Sequence, residues 1–249
     1  MGAIVLRELR AMFLSPLAWT LLAVVQFILA WIFLIQMDEF MQVQPRLAKL
    51  ASAPGVTDLI ATPLLNSAAM IIMFLIPLMS MRLLSDEYRN GTYTLLSSAP
   101  ISKTAIVLGK YSSLLIFLLI VLALTTAMPL SLLLGSVLDL GKLFAGVLGL
   151  GLAIASYGAI GLFFSSITSR PTVAATGTYG LLLFLWLINL AAGAEGEGSA
   201  LFAWISPINH LHKMLSGLIS SADIIYFLLL TAGFLALTIK QLDSRRRGS

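Results

Sequence analysis

Six long stretches without a charged residue alternate with short charged ones along this chain. They run over 11–37, 59–81, 111–138, 143–169, 171–194 and 224–239, and contain 27, 23, 28, 27, 24 and 16 residues. About 20 mostly apolar residues in a helix cross the hydrocarbon core of a bilayer. The sixth stretch is short, but Ala222 and a snorkelling Lys240 lengthen it. The pattern therefore predicts transmembrane helices near 17–36, 63–81, 111–134, 144–166, 173–193 and 223–240. The third is the strongest. It holds 14 Leu, Ile, Phe or Val residues between Leu114 and Leu134. Together these favour insertion by roughly 4–8 kcal/mol before Thr125, Thr126, Pro129 and Ser131 subtract. A buried helix of a soluble protein would have to recur six times to imitate this.

The segments between spans have patterns of their own. Residues 2–14 set Ile4, Leu6, Leu9 and Phe13 against Arg7, Glu8 and Arg10, which predicts an amphipathic helix at the membrane surface. Residues 37–62 carry Phe40, Val43, Leu47 and Leu50 at helical spacing, ended by Pro54-Gly55. In 205–219, Ile208, Leu211, Leu215 and Leu218 share a face. Both of these stretches read as helices lying on or dipping into the outer leaflet. Residues 82–110 form the longest charged loop. Gly91 permits a turn with positive φ, Pro100 suits the start of a new helix, and Ser102 to Val107 can make one or two turns of a short helix before the third span.

Composition narrows the class. Hydrophobic residues make up 59% of the 249 and charged residues 10%, with mean hydropathy +1.00. Soluble domains carry roughly 25% charged residues, so a soluble globular domain is excluded, and disorder with it. Without cysteine there is no disulfide framework, thiolate metal site or cysteine nucleophile. With a cytoplasmic N-terminus, 11 of the 15 basic residues face inward: Arg7, Arg10, Arg82, Arg89, Lys103, Lys110, Arg170, Lys240, Arg245, Arg246 and Arg247. The positive-inside rule selects that orientation, with both termini cytoplasmic. The Arg245-Arg246-Arg247 run then anchors the tail near anionic lipid and is not a nucleic-acid patch. The first apolar run is longer than a signal-peptide core and no small-x-small cleavage site follows it. It reads as an uncleaved span.

Several chemistries lack their residues. Gly109-Lys110 is the nearest approach to a P-loop, but Thr104 stands where a glycine is required and Tyr111 replaces Ser/Thr. No charge sits at a span centre, as ion-coupled transport usually requires. No nucleophile–base or metal-ligand set appears at a usable spacing, so neither catalytic nor metal residues are assigned. His210 and His212, read as strand-like, point to opposite sides and chelate poorly. They read as a polar edge on an interfacial helix. Gly151, Ala155 and Ala159 give the fourth span a small-residue stripe that lets backbones approach closely, more often within a subunit than at a dimer seam.

Motifs along almost the whole chain resemble those of ABC-2 type permeases. The stretch Pro77-x-x-x-Met81-Arg82-Leu83, Asp86-Glu87-x-Arg89-x-Gly91-Thr92, Leu95-Leu96, Pro100 and Gly109-Lys110 is similar to that family's segment between its second and third spans, most of all in the gliding-motility-type group. Phe13-Leu14-Ser15-Pro16-Leu17, Asp139-Leu-Gly141, Gly158-x-x-Gly161-Leu-Phe163, Ser165-x-x-Thr168, Ser206-Pro207, His210, Gly217, Asp223 and Tyr226-Phe227 follow in the family's order. Arg170-Pro171 departs from it, since relatives often carry Arg-Asn-Gln there.

The resemblance implies an all-α integral membrane protein: one transmembrane domain over 1–249, six transmembrane helices and an N-terminal interfacial helix, of the ABC-2 (type V exporter-like) kind. It implies a permease subunit of an ATP-driven exporter in the inner (cytoplasmic) membrane. The chain itself would hold no cofactor, with ATP and Mg bound by separate cytosolic ABC ATPase subunits. Residues 2–14 become a connecting helix, 82–110 a coupling loop with its coupling helix over about 98–107, and 194–222 an outer re-entrant segment. Glu87, Arg89, Gly91, Thr92, Pro100, Ile101, Ser102 and Lys103 become the residues that couple to the ATPase. Expected partners are those ATPases, a second permease copy or paralogue, membrane lipid and an extracytoplasmic accessory protein, with no nucleic acid. The alternatives are a transporter or channel working alone, and a non-transporting scaffold or mechanotransducer for an outer partner.

Overall fold

The computed structural model describes residues 2–47, 54–92, 102–192 and 199–247. Among them every regular element is helical and none is a strand. Helix α1 (Gly2–Leu14) breaks at Ser15, and α2 (Pro16–Leu47) follows. A π-helical turn (Thr57–Ala61) leads into α3 (Thr62–Ser80), and the short α4 (Ser85–Arg89) comes after it. Helix α5 (Lys103–Ser131) ends in a 3-10 turn, Leu132–Leu134. Helices α6 (Leu140–Ile167), α7 (Pro171–Ala192), α8 (Ser199–Ile205), α9 (Pro207–Leu215) and α10 (Ser221–Arg247) complete the chain. Six of these elements are long and apolar enough to span a membrane: α2, α3, α5, α6, α7 and α10.

Helix α6 is the hub. In its most apolar window 61% of residues are buried, against 22% in α2, 22% in α7 and 17% in α10. Small residues let neighbours close on it. A Cβ added at Gly149 would lie 2.7 Å from Met214 Cβ, so α9 rests directly on the α6 backbone. The outer helices present Phe27, Trp31, Phe184, Leu187 and Leu229 outward. Such a surface is an aggregation liability in water but matches lipid tails, which are as apolar as leucine. The Gly151–Ala155 stripe packs inside the chain. Leu122 of α5 lies 3.7 Å from the Cβ position of Gly151, and Tyr111 of α5 donates to the Ala155 carbonyl at 3.0 Å.

Helix ends differ from the span limits in an informative way. Helix α2 does not stop near residue 36. It continues unbroken through Phe40 and Val43, so these belong to the first span's helix and not to a separate surface helix. Asp38 and Glu39 end the apolar run but not the backbone hydrogen bonding, and Gln42 Nε2 donates to Asp38 Oδ2 one turn away at 2.8 Å. Leu50 lies outside the described residues. Helix α10 likewise runs past 240 to Arg247. Residues 103–110 of the expected loop form the first turns of α5, continuous with the third span.

The two ends of the bundle are fastened differently. At the end remote from the termini, Lys142 pairs with Asp58 and the Asp139 amide donates to Thr57 Oγ1 at 2.8 Å. Asp139 also caps α6, accepting from the Lys142 amide at 3.0 Å. At the other end α1, α4, the start of α5 and the end of α10 converge.

Candidate functional site

Local chemistry builds this converging end. After α3 the chain turns at Met81–Leu84, where backbone groups would be stranded inside protein. Ser165, fully buried on α6, meets them. Its Oγ accepts from the amides of Leu84 (3.0 Å) and Ser85 (3.2 Å) and donates to the Met81 carbonyl (3.0 Å). One turn deeper, Gly161 of α6 faces Ser80 of α3, and a Cβ there would lie 2.7 Å from Ser80 Cβ. The last turn of α3 and the start of the loop are thus held to α6 by a hydroxyl and by the absence of a side chain.

Helix α4 then presents its charges. Lys110 is only 1% exposed. Its Nζ lies 2.8 Å from Glu87 Oε1 and 3.2 Å from Glu8 Oε1, joining α5 to α4 and to α1. The Arg7 guanidinium reaches the same carboxylates, at 2.6 Å from Glu8 and 3.2 Å from Glu87. The hydrogen bond to Glu8, with a smaller contribution from Glu87, holds Arg7 above its ordinary value, so it stays a cation. Two bases and two acids balance within one knot, the arrangement a buried charge needs. Gly109 lets the knot close, since Ile4 of α1 sits 2.9 Å from its Cβ position.

The expected coupling residues do not share one environment. Glu87 lies in the knot. Arg89 points outward and pairs with Asp86 on its own helix at 3.1 Å. Gly91, at φ +70°, closes α4 in the left-handed region that favours glycine, and Thr92 Oγ1 donates back to the Glu87 carbonyl at 3.4 Å. Ser102 caps α5, accepting from the Ala105 amide at 3.2 Å. Lys103 pairs with Asp243 near the end of α10. Pro100, Ile101 and the 98–101 part of the expected coupling helix lie outside the described residues. Sequence reasoning gave no partnering role to Glu8, Lys110, Asp243 or Ser165. The one visible signal was a lysine directly abutting the longest apolar run, facing two acids more than 20 residues away in the chain.

The family profile described as ABC-2 family transporter protein matches residues 2–245. The chain belongs to the ABC-2 family. Its six-span, all-helical fold suits that membership, and it is a multi-pass membrane component of an ABC transporter. Comparison with curated proteins returned no match.

At the opposite end of this ABC-2 protein, α8 and α9 fold back against the bundle. His210 is buried, its Nδ1 lying 2.5 Å from Asp223 Oδ1 and its Nε2 2.8 Å from the Trp204 carbonyl, with the Tyr226 ring stacked at 4.2 Å. His212 faces elsewhere, bonding Asn66 Oδ1 of α3 at 3.1 Å, and desolvation lowers its pKa. Both histidines sit in helix α9, not a strand-like stretch, and they serve different neighbours. Behind them a cavity of about 240 Å³ lies among Asn66, Met73, Tyr157, Trp186, Asn189 and His212. Among the described residues no group of three or more His, Asp or Glu side chains is placed to hold a metal ion.

Proposed function

We propose that this chain is the transmembrane permease subunit of an ATP-driven ABC-2 exporter, of the gliding-motility-type group, in the inner (cytoplasmic) membrane with both termini cytoplasmic. ATP and Mg are bound and turned over by separate cytosolic ABC ATPases. Two permease copies, or a copy and a paralogue, complete the translocation unit. Closure of the ATPases pushes on the loop between α3 and α5, and the spans rock as rigid bodies to alter access or to exert force on an outer partner.

The observation that carries this reading is the linkage at the charged end. Glu87 and Lys110 tie the loop to α1 and α5, Lys103 ties the start of α5 to α10, and Ser165 ties the loop to α6. A displacement applied to the loop therefore reaches four helices through ion pairs and buried hydrogen bonds. Such continuity is what transmission between packed elements requires. Most of the basic residues would also lie on the cytoplasmic face in this orientation.

Deletion of residues 98–106, with membrane insertion verified, tests the reading by pull-down of the co-expressed ATPase. Loss of ATPase capture and of substrate-stimulated turnover is expected. Full retention of both would remove the loop from the mechanism.

A further inference from the structure

A crevice of about 220 Å³ opens in the elbow where α1 turns into α2 at Ser15, closed behind by the end of α3. Its walls are of two kinds. Met12, Leu17, Ala18, Leu78 and Met79 make an apolar trough, and Arg82 stands at its charged rim. The two rim acids each have a cation near them, although Asp86 Oδ1 accepts no hydrogen bond among the described residues. Glu8 is bonded to Arg7 and Lys110, and Asp86 is paired with Arg89. Arg82 has no carboxylate within ion-pairing distance among the described residues. The charged lining is Glu8, Asp86 and Arg82, and Arg7, Lys110 and Arg89 outside the crevice offset the two acids, which leaves Arg82 as the lining's one cation without an ion pair.

The level of the crevice matters as much as its lining. Leu14 is 82% exposed, and Trp19 is exposed with its indole N–H donated to the Phe13 carbonyl at 2.7 Å. A tryptophan anchored at a helix break marks the membrane–water interface, and an exposed leucine beside it suits contact with lipid. An apolar trough at that level, ending at an unmatched guanidinium, has the polarity of a phospholipid. Guanidinium groups bind phosphate oxygens in a bidentate, charge-assisted manner, and the trough covers the first methylenes of a chain.

We propose that this elbow is a binding site for one membrane phospholipid, with its phosphodiester on Arg82 and one acyl chain lying along Leu17, Ala18, Leu78 and Met79. The lipid bridges the surface helix α1 to the end of α3. The inference requires that the chain spans a bilayer and does not depend on coupling to an ATPase.

Native mass spectrometry of the purified full chain, titrated in mild detergent, tests it with three probes. These are phosphatidylglycerol, a diacylglycerol that lacks the phosphate, and glycerol 3-phosphate that lacks the chains. One tightly retained phosphatidylglycerol per chain is expected, with the other two probes at least about tenfold weaker. Arg82→Gln should weaken phosphatidylglycerol about tenfold. Arg10→Gln, a basic change on α1 outside the crevice, should leave it unchanged. Ser15→Phe, which fills the elbow while keeping Arg82, should weaken it as much as Arg82→Gln does. Equal losses in Arg82→Gln and Arg10→Gln would reduce the effect to general surface charge. Glycerol 3-phosphate binding as well as the lipid would make this a free-phosphate site. Undiminished binding by Ser15→Phe would place the lipid elsewhere. Any of the three overturns the proposal.

Discussion

Replacing Lys110 by methionine is expected to destabilise the folded bundle by about 3–5 kcal/mol, the cost of leaving buried charge without its partner. The ammonium serves two carboxylates, Glu8 and Glu87, whose side chains are only 14% and 15% exposed. Glu87 Oε2 already has no hydrogen-bond partner among the described residues. Without Lys110 the two acids face each other across α1 and α4, and only Arg7 remains between them, itself more than half exposed. Methionine keeps most of the volume, so the loss reports charge and not a cavity. Neutralising the uncovered acid in the same chain, as Lys110→Met with Glu87→Gln, should recover more than half of the loss. Isosteric replacement of a buried pair is often close to neutral. Denaturant unfolding in mixed micelles measures both. Wild-type stability in Lys110→Met, or no recovery in the double variant, would show that the knot does not hold this end together.

The second large effect is steric. Gly161→Ala should cost about 1–3 kcal/mol, the usual penalty for forcing a methyl group into a close-packed interior. The new Cβ would lie 2.7 Å from Ser80 Cβ and closer still to its hydroxyl. Gly161 lies inside α6 and Ser80 is the last residue of α3, so relief requires the end of α3 to move away from α6. Alanine's better helix propensity offsets only about 0.5–1 kcal/mol of this. Ser80→Gly removes the obstructing atoms. By itself it should cost no more than about 0.5 kcal/mol, since serine is already a poorer helix former than alanine and position 80 ends the helix. Combined with Gly161→Ala it should cost far less than the two single effects added, an interaction energy within the 0.5–3 kcal/mol typical of contacting residues. Strict additivity would mean that the two helices do not meet at these residues. The same displacement would move Ser165 away from the amides of Leu84 and Ser85, so the loop should loosen as well.

These two sites mark where the sequence stops being legible. The six spans follow from the bilayer, which demands a minimum apolar length and leaves uncharged gaps that can be counted. Their helical limits do not follow as well. Asp38 and Glu39 terminate a hydrophobic stretch, yet α2 goes on beyond them because a charge outside the hydrocarbon does nothing to stop a helix. Gly91 was readable because a positive φ is a local demand. Gly161 was visible only as a motif glycine, since its reason is a serine 81 residues earlier. The stripe of Gly151, Ala155 and Ala159 meets α5 at Gly151 and Ala155, but the tightest approaches on α6 fall at Gly149 and Gly161, on other faces of the same helix. His210 shows the same limit. Alternation in the sequence separated it from His212, but nothing local announced Asp223 as its partner.

In the proposed mechanism, force enters this protein at the end where α1, α4, α5 and α10 converge. Because the chain has no cysteine, single cysteines at Thr92, at Lys103 and, as a control at the opposite end, at Asn66 give an unambiguous cross-linking map against the co-purified ATPase. Cross-links from positions 92 and 103 should change in yield on ATP binding, with none from position 66. Cross-links absent at 92 and 103, or formed there irrespective of nucleotide, would contradict that mechanism.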